Sequence, residues 1–211
     1  MTVIPRVCRT SDGLTLEAEF VAARASHPRA GAVLCHPHPQ YGGTMRSIVI
    51  SALFDALPDH AVSCLRFNFR GVENSDGAHA AGVDEVRDVE AALEELAGEL
   101  HPSVPIVLVG WSFGADMALS VHDSRVAGWV GIAPPLRFST ATDAIGHDPR
   151  PKLLVLAQHD EFRAPAEIEA ATADWVATKR ILVPGASHFF VGRTDRVVDA
   201  TVAFLDDLRQ H

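Results

Sequence analysis

Eight short apolar runs rich in β-branched residues recur along this chain, with longer segments of helical periodicity between the later ones. That alternation is the pattern of a mostly parallel sheet, because parallel neighbours need a crossover and the crossover has to lie on a face of the sheet. The strand candidates are residues 3–8, 14–21, 31–35, 62–67, 106–110, 126–132, 153–157 and 181–183. Ser11-Asp12-Gly13 separates the first two, which read as a hairpin. Helix candidates span residues 45–57, 83–100, 113–121, 166–177 and 194–209. The class is α/β, and 211 residues fit one domain, 1–211, large enough to bury a two-sided sheet. Residues 133–152, rich in Pro, Thr and Asp, form the one long irregular stretch.

Charge narrows the choice of partner. The formal net charge is -9 and no Lys/Arg cluster offsets it, so a phosphate backbone is repelled and no nucleic-acid partner is expected. Pro5, Arg6, Arg9 and Asp12 interrupt the segment where a signal peptide needs an apolar core, and no run reaches the roughly 18 apolar residues of a membrane span. Neither targeting nor a membrane is expected. Cys8, Cys35 and Cys64 are odd in number and each sits in or beside an apolar strand run, the pattern of buried reduced thiols. The expected location is cytoplasmic and the expected partner a small molecule; the oligomeric state stays open.

The sharpest local signal is Gly110-Trp111-Ser112-Phe113-Gly114, which follows Ile106-Val107-Leu108-Val109 and opens a helical pattern. It fits G-x-S-x-G, in which a serine stands at the tip of a tight strand-to-helix turn and side chains two residues to either side would collide. The helix beginning there aims free N–H groups and its positive dipole end at the serine oxygen, where negative charge develops in acyl transfer. Ser112 is the candidate nucleophile.

A serine hydroxyl needs a base, and the base needs an orienting carboxylate. Of eleven histidines, His188 follows the last short strand through Pro184-Gly185-Ala186-Ser187 and precedes the final helix, the chain order expected when the base comes last. His27, His60, His79, His101, His122, His147 and His211 lie in polar stretches or at element ends and read as surface residues. For the acid, the strand Leu153-Leu154-Val155-Leu156-Ala157 delivers Gln158-His159-Asp160-Glu161 at its carboxyl end, where catalytic groups of open α/β sheets collect. Asp160 is the choice, Glu161 the runner-up and His159 a decoy.

Four segments together carry a family resemblance: His36-Pro37-His38-Pro39-Gln40-Tyr41-Gly42-Gly43-Thr44-Met45, Arg66-Phe67-Asn68-Phe69-Arg70-Gly71, the Gly110 to Gly114 turn, and Gly185-Ala186-Ser187-His188-Phe189-Phe190. On these the chain resembles the α/β-hydrolase superfamily, and within it the small, lid-poor serine hydrolases with an H-P-H-P-x-Y-G-G loop, which are similar to dienelactone hydrolases and esterases. The resemblance implies an α/β-hydrolase fold, with a mostly parallel sheet of about eight strands, helices on both faces and a minimal cap. It also implies Ser112 as nucleophile, Asp160 as acid and His188 as base. Where the superfamily usually carries an oxyanion-hole amide after a His-Gly pair, this chain has His36-Pro37. Proline has no N–H, which leaves the backbone amide of His38 as first donor and that of Phe113 as second.

A metal held by His36 and His38 lacks an acid or cysteine to complete the set. The Arg66 to Gly71 segment resembles the superfamily's D-x-R-G-x-G-x-S turn with Asn68 in place of the acid and Glu73 in place of a glycine, so Arg70 reads as a structural tie. The function implied is hydrolysis of a small carboxylic ester, thioester or amide without cofactor. Acyl transfer on the same residues and a non-catalytic ligand-binding homologue are the alternatives. Because residues 133–152 are short and proline-rich, a shallow pocket favouring acetate to butyrate esters is expected.

Overall fold

A computed structural model describes residues 2–139 and 142–208. Among these residues eight strands form one sheet: β1 (Ile4–Arg9), β2 (Thr15–Val21), β3 (Ala30–Cys35), β4 (Val62–Phe67), β5 (Ile106–Trp111), β6 (Val126–Ile132), β7 (Lys152–His159) and β8 (Thr178–Ser187). Their order is β1-β2-β4-β3-β5-β6-β7-β8. β1 pairs antiparallel with β2 and β2 with β4, and the remaining pairings are parallel. This is the α/β-hydrolase arrangement expected from the sequence. β3 and β5, apolar along their length, are buried at every position, as strands covered on both faces must be.

Among the described residues six α-helices alternate with the later strands: α1 (Ile48–Ala56), α2 (Glu85–Glu99), α3 (Phe113–Leu119), α4 (Thr142–His147), α5 (Pro165–Ala171) and α6 (Thr194–Asp207). Alternate residues of β5 feed two cores. Val107 and Val109 pack with Leu53 of α1 and Val197 and Phe204 of α6, whereas Ile106 and Leu108 pack with Leu93 of α2, Met117 of α3 and Ile168 of α5. The chain leaves β3 for β4 on one side and crosses back to β5 on the other. β3 and β5 are therefore neighbours whose following segments depart to opposite faces, and their carboxyl ends border a crevice.

The largest departures from the sequence reading lie in β8, α4 and α5. β8 continues to Ser187 through Pro184 and Gly185, which had read as a loop. β8 is an edge strand, where a missing N–H is tolerated, and the Gly185 amide donates to Gln158 Oε1 at 2.7 Å. The stretch 133–152 contains α4, whose Ile145 is buried and whose Gly146 lies under Trp175, where a Cβ would fall 2.7 Å from the ring. α5 ends at Ala171 instead of 177, and its last turn is closed by the Thr172 hydroxyl donating to the Ile168 carbonyl. Thr140 and Ala141 within that irregular stretch, Arg209 at the end of the expected last helix, and His211 lie outside the described residues. Among the described residues no helix is long and apolar enough to cross a membrane.

Candidate active site

The turn from β5 into α3 is fixed by contacts that admit no side chain. A Cβ on Gly110 would lie 2.1 Å from the Gly114 carbonyl oxygen, and one on Gly114 would lie 2.3 Å from the carbonyl oxygen of Cys35. Only glycine lets the helix start this close to the strand and to the end of β3. Between them Ser112 takes φ 55 and ψ -122, a conformation that costs a non-glycine residue about 1–3 kcal/mol. Its amide is anchored to the Ile132 carbonyl of β6 at 2.8 Å, so the neighbouring strand holds the strained residue in place.

His188 follows β8 and is placed from four sides. Its amide donates to Glu161 Oε2 at 3.1 Å, and its carbonyl accepts from Trp111 Nε1 at 3.1 Å. Its Nδ1 lies 2.8 Å from Asp160 Oδ2 and its Nε2 lies 2.9 Å from Ser112 Oγ. A carboxylate can only accept, so Nδ1 carries the proton and Nε2 offers its lone pair to the Ser112 hydroxyl. The side chains of His188 and Asp160 are 6% and 5% exposed, so this pairing is shielded from competing water. The other Asp160 oxygen accepts from the amides of Phe162 at 2.9 Å and Arg163 at 3.2 Å. That turn sets the Phe162 ring over His188, with centroids 4.5 Å apart. Glu161, the runner-up, bonds the His188 backbone, and His159 is exposed.

The loop after β3 forms the opposite wall. His36 is fully buried, its Nε2 accepting from the Phe69 amide at 3.0 Å and its Nδ1–H donating to the Pro37 carbonyl at 2.6 Å. Burial pushes its pKa down to about 3, and both ring nitrogens are committed to backbone groups. His38 Nδ1 accepts from the Gln40 amide at 3.2 Å and caps the short turn Pro39–Tyr41. Its ring sits 5.0 Å from that of Phe113 and 4.8 Å from that of His79. Burial also lowers the pKa of His38, and the neighbouring His79 adds to the shift. Among the described residues neither the His38 amide nor the Phe113 amide donates to another backbone group outside the helices and strands. Phe113 itself is buried beneath Ser112 as the first residue of α3.

His79 differs from the surface histidine expected. Its side chain is 11% exposed, and Nδ1 approaches Glu85 Oε1 to 2.7 Å without the alignment of a hydrogen bond. Glu85 is fully buried and also accepts from the amides of Ala80 at 2.7 Å and Gly82 at 2.9 Å. No local pattern marks this pair, because its surroundings come from the loop after β3 and from α3. His27, His60, His101, His122 and His147 are exposed.

Behind the loop, Arg70 is 4% exposed and bonds Asp88 of α2 at 2.7 Å and Asp12 of the β1–β2 turn at 2.9 Å. Buried Asn68 donates to Glu17 at 2.8 Å and Glu73 at 2.6 Å while accepting from the Met45 amide at 2.8 Å. An aspartate there would have no proton to give these two carboxylates. Glu73 has φ 48, which accounts for the glycine of the related turn.

Ser112 and His188 open into a cavity of about 520 Å³. Tyr41, Phe138, Phe162 and Phe189 build much of its wall, and no residue of α4 lines it. Side chains of loops 36–45 and 160–163, together with Arg137 and Phe138 of the stretch 133–152, raise walls that a cap would otherwise supply. Among the described residues no group of three or more His, Cys, Asp or Glu could hold a metal ion.

No family model matches the chain. It is 28% identical over 194 residues to an uncharacterized protein of Rickettsia prowazekii, covering 87% of this chain and 82% of that protein. An alpha-beta serine hydrolase homologue from Coxiella burnetii is 31% identical, with a TM-score of 0.87 over 97% of this chain and 98% of its own. A protein of unknown function from Agrobacterium tumefaciens is 26% identical, with a TM-score of 0.83 over 96% and 95% of the two chains. More distant hydrolases and esterases, 15% to 23% identical, share the fold alone.

Proposed function

This chain belongs to the α/β-hydrolase superfamily, and from that premise we propose that it is a serine hydrolase cleaving a small carboxylic ester through an acyl-enzyme on Ser112. The observation that carries the reading is the unbroken line of hydrogen-bond contacts from Ser112 Oγ to His188 at 2.9 Å and from His188 to Asp160 at 2.8 Å, at the mouth of one cavity.

In the first half-reaction Ser112 Oγ attacks the ester carbonyl carbon as His188 Nε2 takes the hydroxyl proton, and Asp160 stabilises the resulting imidazolium. The carbonyl oxygen becomes an oxyanion facing the amides of His38 and Phe113, helped by the N-terminal dipole of α3. Collapse breaks the ester C–O bond, and the leaving alkoxide receives the proton from His188. Water then adds to the acyl-enzyme with His188 as base, and Ser112 recovers its proton as the acid product leaves. The buried contact between His188 and Asp160 keeps the imidazole in the tautomer both halves need.

The test is labelling by a fluorophosphonate probe together with release of p-nitrophenol from short-chain esters. Wild type should show both, and Ser112→Ala should lose both. Equal labelling of the two proteins would overturn Ser112, and an acylated product formed with an added alcohol in place of free acid would favour acyl transfer.

A further inference from the structure

Among the described residues, Arg137 is the one permanently charged side chain lining the cavity. Its guanidinium has no carboxylate within 4.0 Å among the described residues, and in this it resembles Arg163, Arg180 and Arg193, which bond neutral groups, but unlike them it lines the cavity. It is nonetheless held in place. Nη2 donates to the Phe162 carbonyl at 3.1 Å, on the turn that Asp160 organises above His188. The backbone beneath it is gripped by Asp116 of α3, fully buried, which accepts from the amides of Leu136 at 2.9 Å, Arg137 at 2.8 Å and Phe138 at 2.9 Å. From the other side Arg163 Nη1 donates to the carbonyls of Pro135 and Leu136. Leu136, at φ 50, is kept in a left-handed conformation by these bonds.

A protein of net charge -9 has carboxylates to spare, yet this arginine, exposed where it lines the cavity, is tied to a neutral carbonyl. One N–H of its fork is spent on Phe162, and the rest remain to meet a planar anion in two parallel hydrogen bonds. A neutral ester makes no use of such a group, and a cationic one is repelled by it. Resting on the serine-hydrolase reading, we propose that the substrate is a carboxylate-bearing ester whose anionic group is bound by Arg137. The residue would act by substrate selection, taking no part in bond making or breaking.

The experiment measures kcat/KM on two matched pairs. Mono-p-nitrophenyl glutarate against p-nitrophenyl butyrate places the carboxylate on the acyl side, and 4-acetoxybenzoate against phenyl acetate places it on the leaving side. Wild type should favour the anionic member of at least one pair about tenfold, the scale of one charge-assisted contact. Arg137→Gln should bring that ratio to about one, Arg137→Lys should keep part of it, and raising the salt should shrink it. Whichever pair shows the preference supports the proposal and tells which side of the ester bears the charge. Parity or a penalty in both pairs, or a ratio unchanged in Arg137→Gln, overturns it.

If no ester is cleaved and the probe does not label Ser112, it is the serine-hydrolase reading that fails. Calorimetric binding of glutarate monoamide and butyramide to wild type and Arg137→Gln then decides the anion site separately: equal affinities overturn it, and an Arg137-dependent preference for the monoamide sustains it.

Discussion

The two walls of the cavity use the same residue type in opposite ways. On the side formed by the ends of β7 and β8, His188 spends its ring nitrogens on a carboxylate and a hydroxyl. On the side formed by the loop after β3, His36 spends both on backbone groups. Burial does not separate them, since His36 is 0% and His188 5% exposed. What separates them is the partner. A carboxylate stabilises the protonated ring and lets a proton come and go, whereas an amide N–H aimed at Nε2 requires the ring to stay neutral. The strand-end wall is therefore suited to chemistry, and the loop wall to holding backbone in position.

Substitutions that remove one partner at a time should break the two walls differently. The largest effect is expected for Asp160→Asn, which leaves His188 in the wrong tautomer and should lower kcat by roughly 10³–10⁴-fold. Its urea midpoint should shift little, because the damage is chemical. A fall of less than tenfold would remove Asp160 from the acid's role.

On the loop wall His36→Ala should instead cost about 2–4 kcal/mol of stability in urea unfolding, since it strands the buried Phe69 amide and leaves a cavity. The penalty should also depend on pH. The unfolded His36 binds a proton below its ordinary 6.5, and the folded one only near 3, so its contribution to stability is lost as pH falls through that window. Asp116 acts in the other direction, because burial raises its pKa from 3.8 to about 6 and protonation there favours the folded state. That effect is common to both proteins and cancels in their difference. The gap between wild type and His36→Ala should then narrow by roughly 1.4 kcal/mol per unit below pH 6.5. A gap independent of pH between 7 and 5 would contradict the assignment of His36 as a neutral brace.

The smallest effect is expected for Glu161→Gln, which keeps an acceptor for the His188 amide. It should change kcat less than tenfold and stability by less than about 1 kcal/mol. If Glu161→Gln were crippling and Asp160→Asn mild, the acid would be Glu161.

Much of this site was legible because its determinants are local. The glycines at 110 and 114 and the serine between them describe one turn, and the steric demand that selects them acts within five residues and the end of β3. Asp160 stands out in the sequence as the first carboxylate past an apolar strand, and the structure brings its Oδ2 to 2.8 Å from His188 Nδ1. Preferring it to Glu161 was a positional argument, and the rotation of the chain there turns Asp160 to the His188 ring and Glu161 to the His188 backbone. The extension of β8 was hidden by Pro184, which punctuates a central strand but not an edge one. α4 was hidden in a proline-rich stretch because its support is Trp175, nearly thirty residues onward.

By itself the sequence determined the class, the eight strand positions, the turn at Ser112 and the neighbourhoods of His188 and Asp160, since apolar periodicity and turn sterics act over a few residues. Tertiary structure alone decided which histidines are braces, that His79 meets a buried Glu85, and that Arg137 faces the cavity without a counter-charge. Each of those depends on the dielectric and the hydrogen-bond partners that chain segments remote in sequence bring to one place, and no local pattern encodes them.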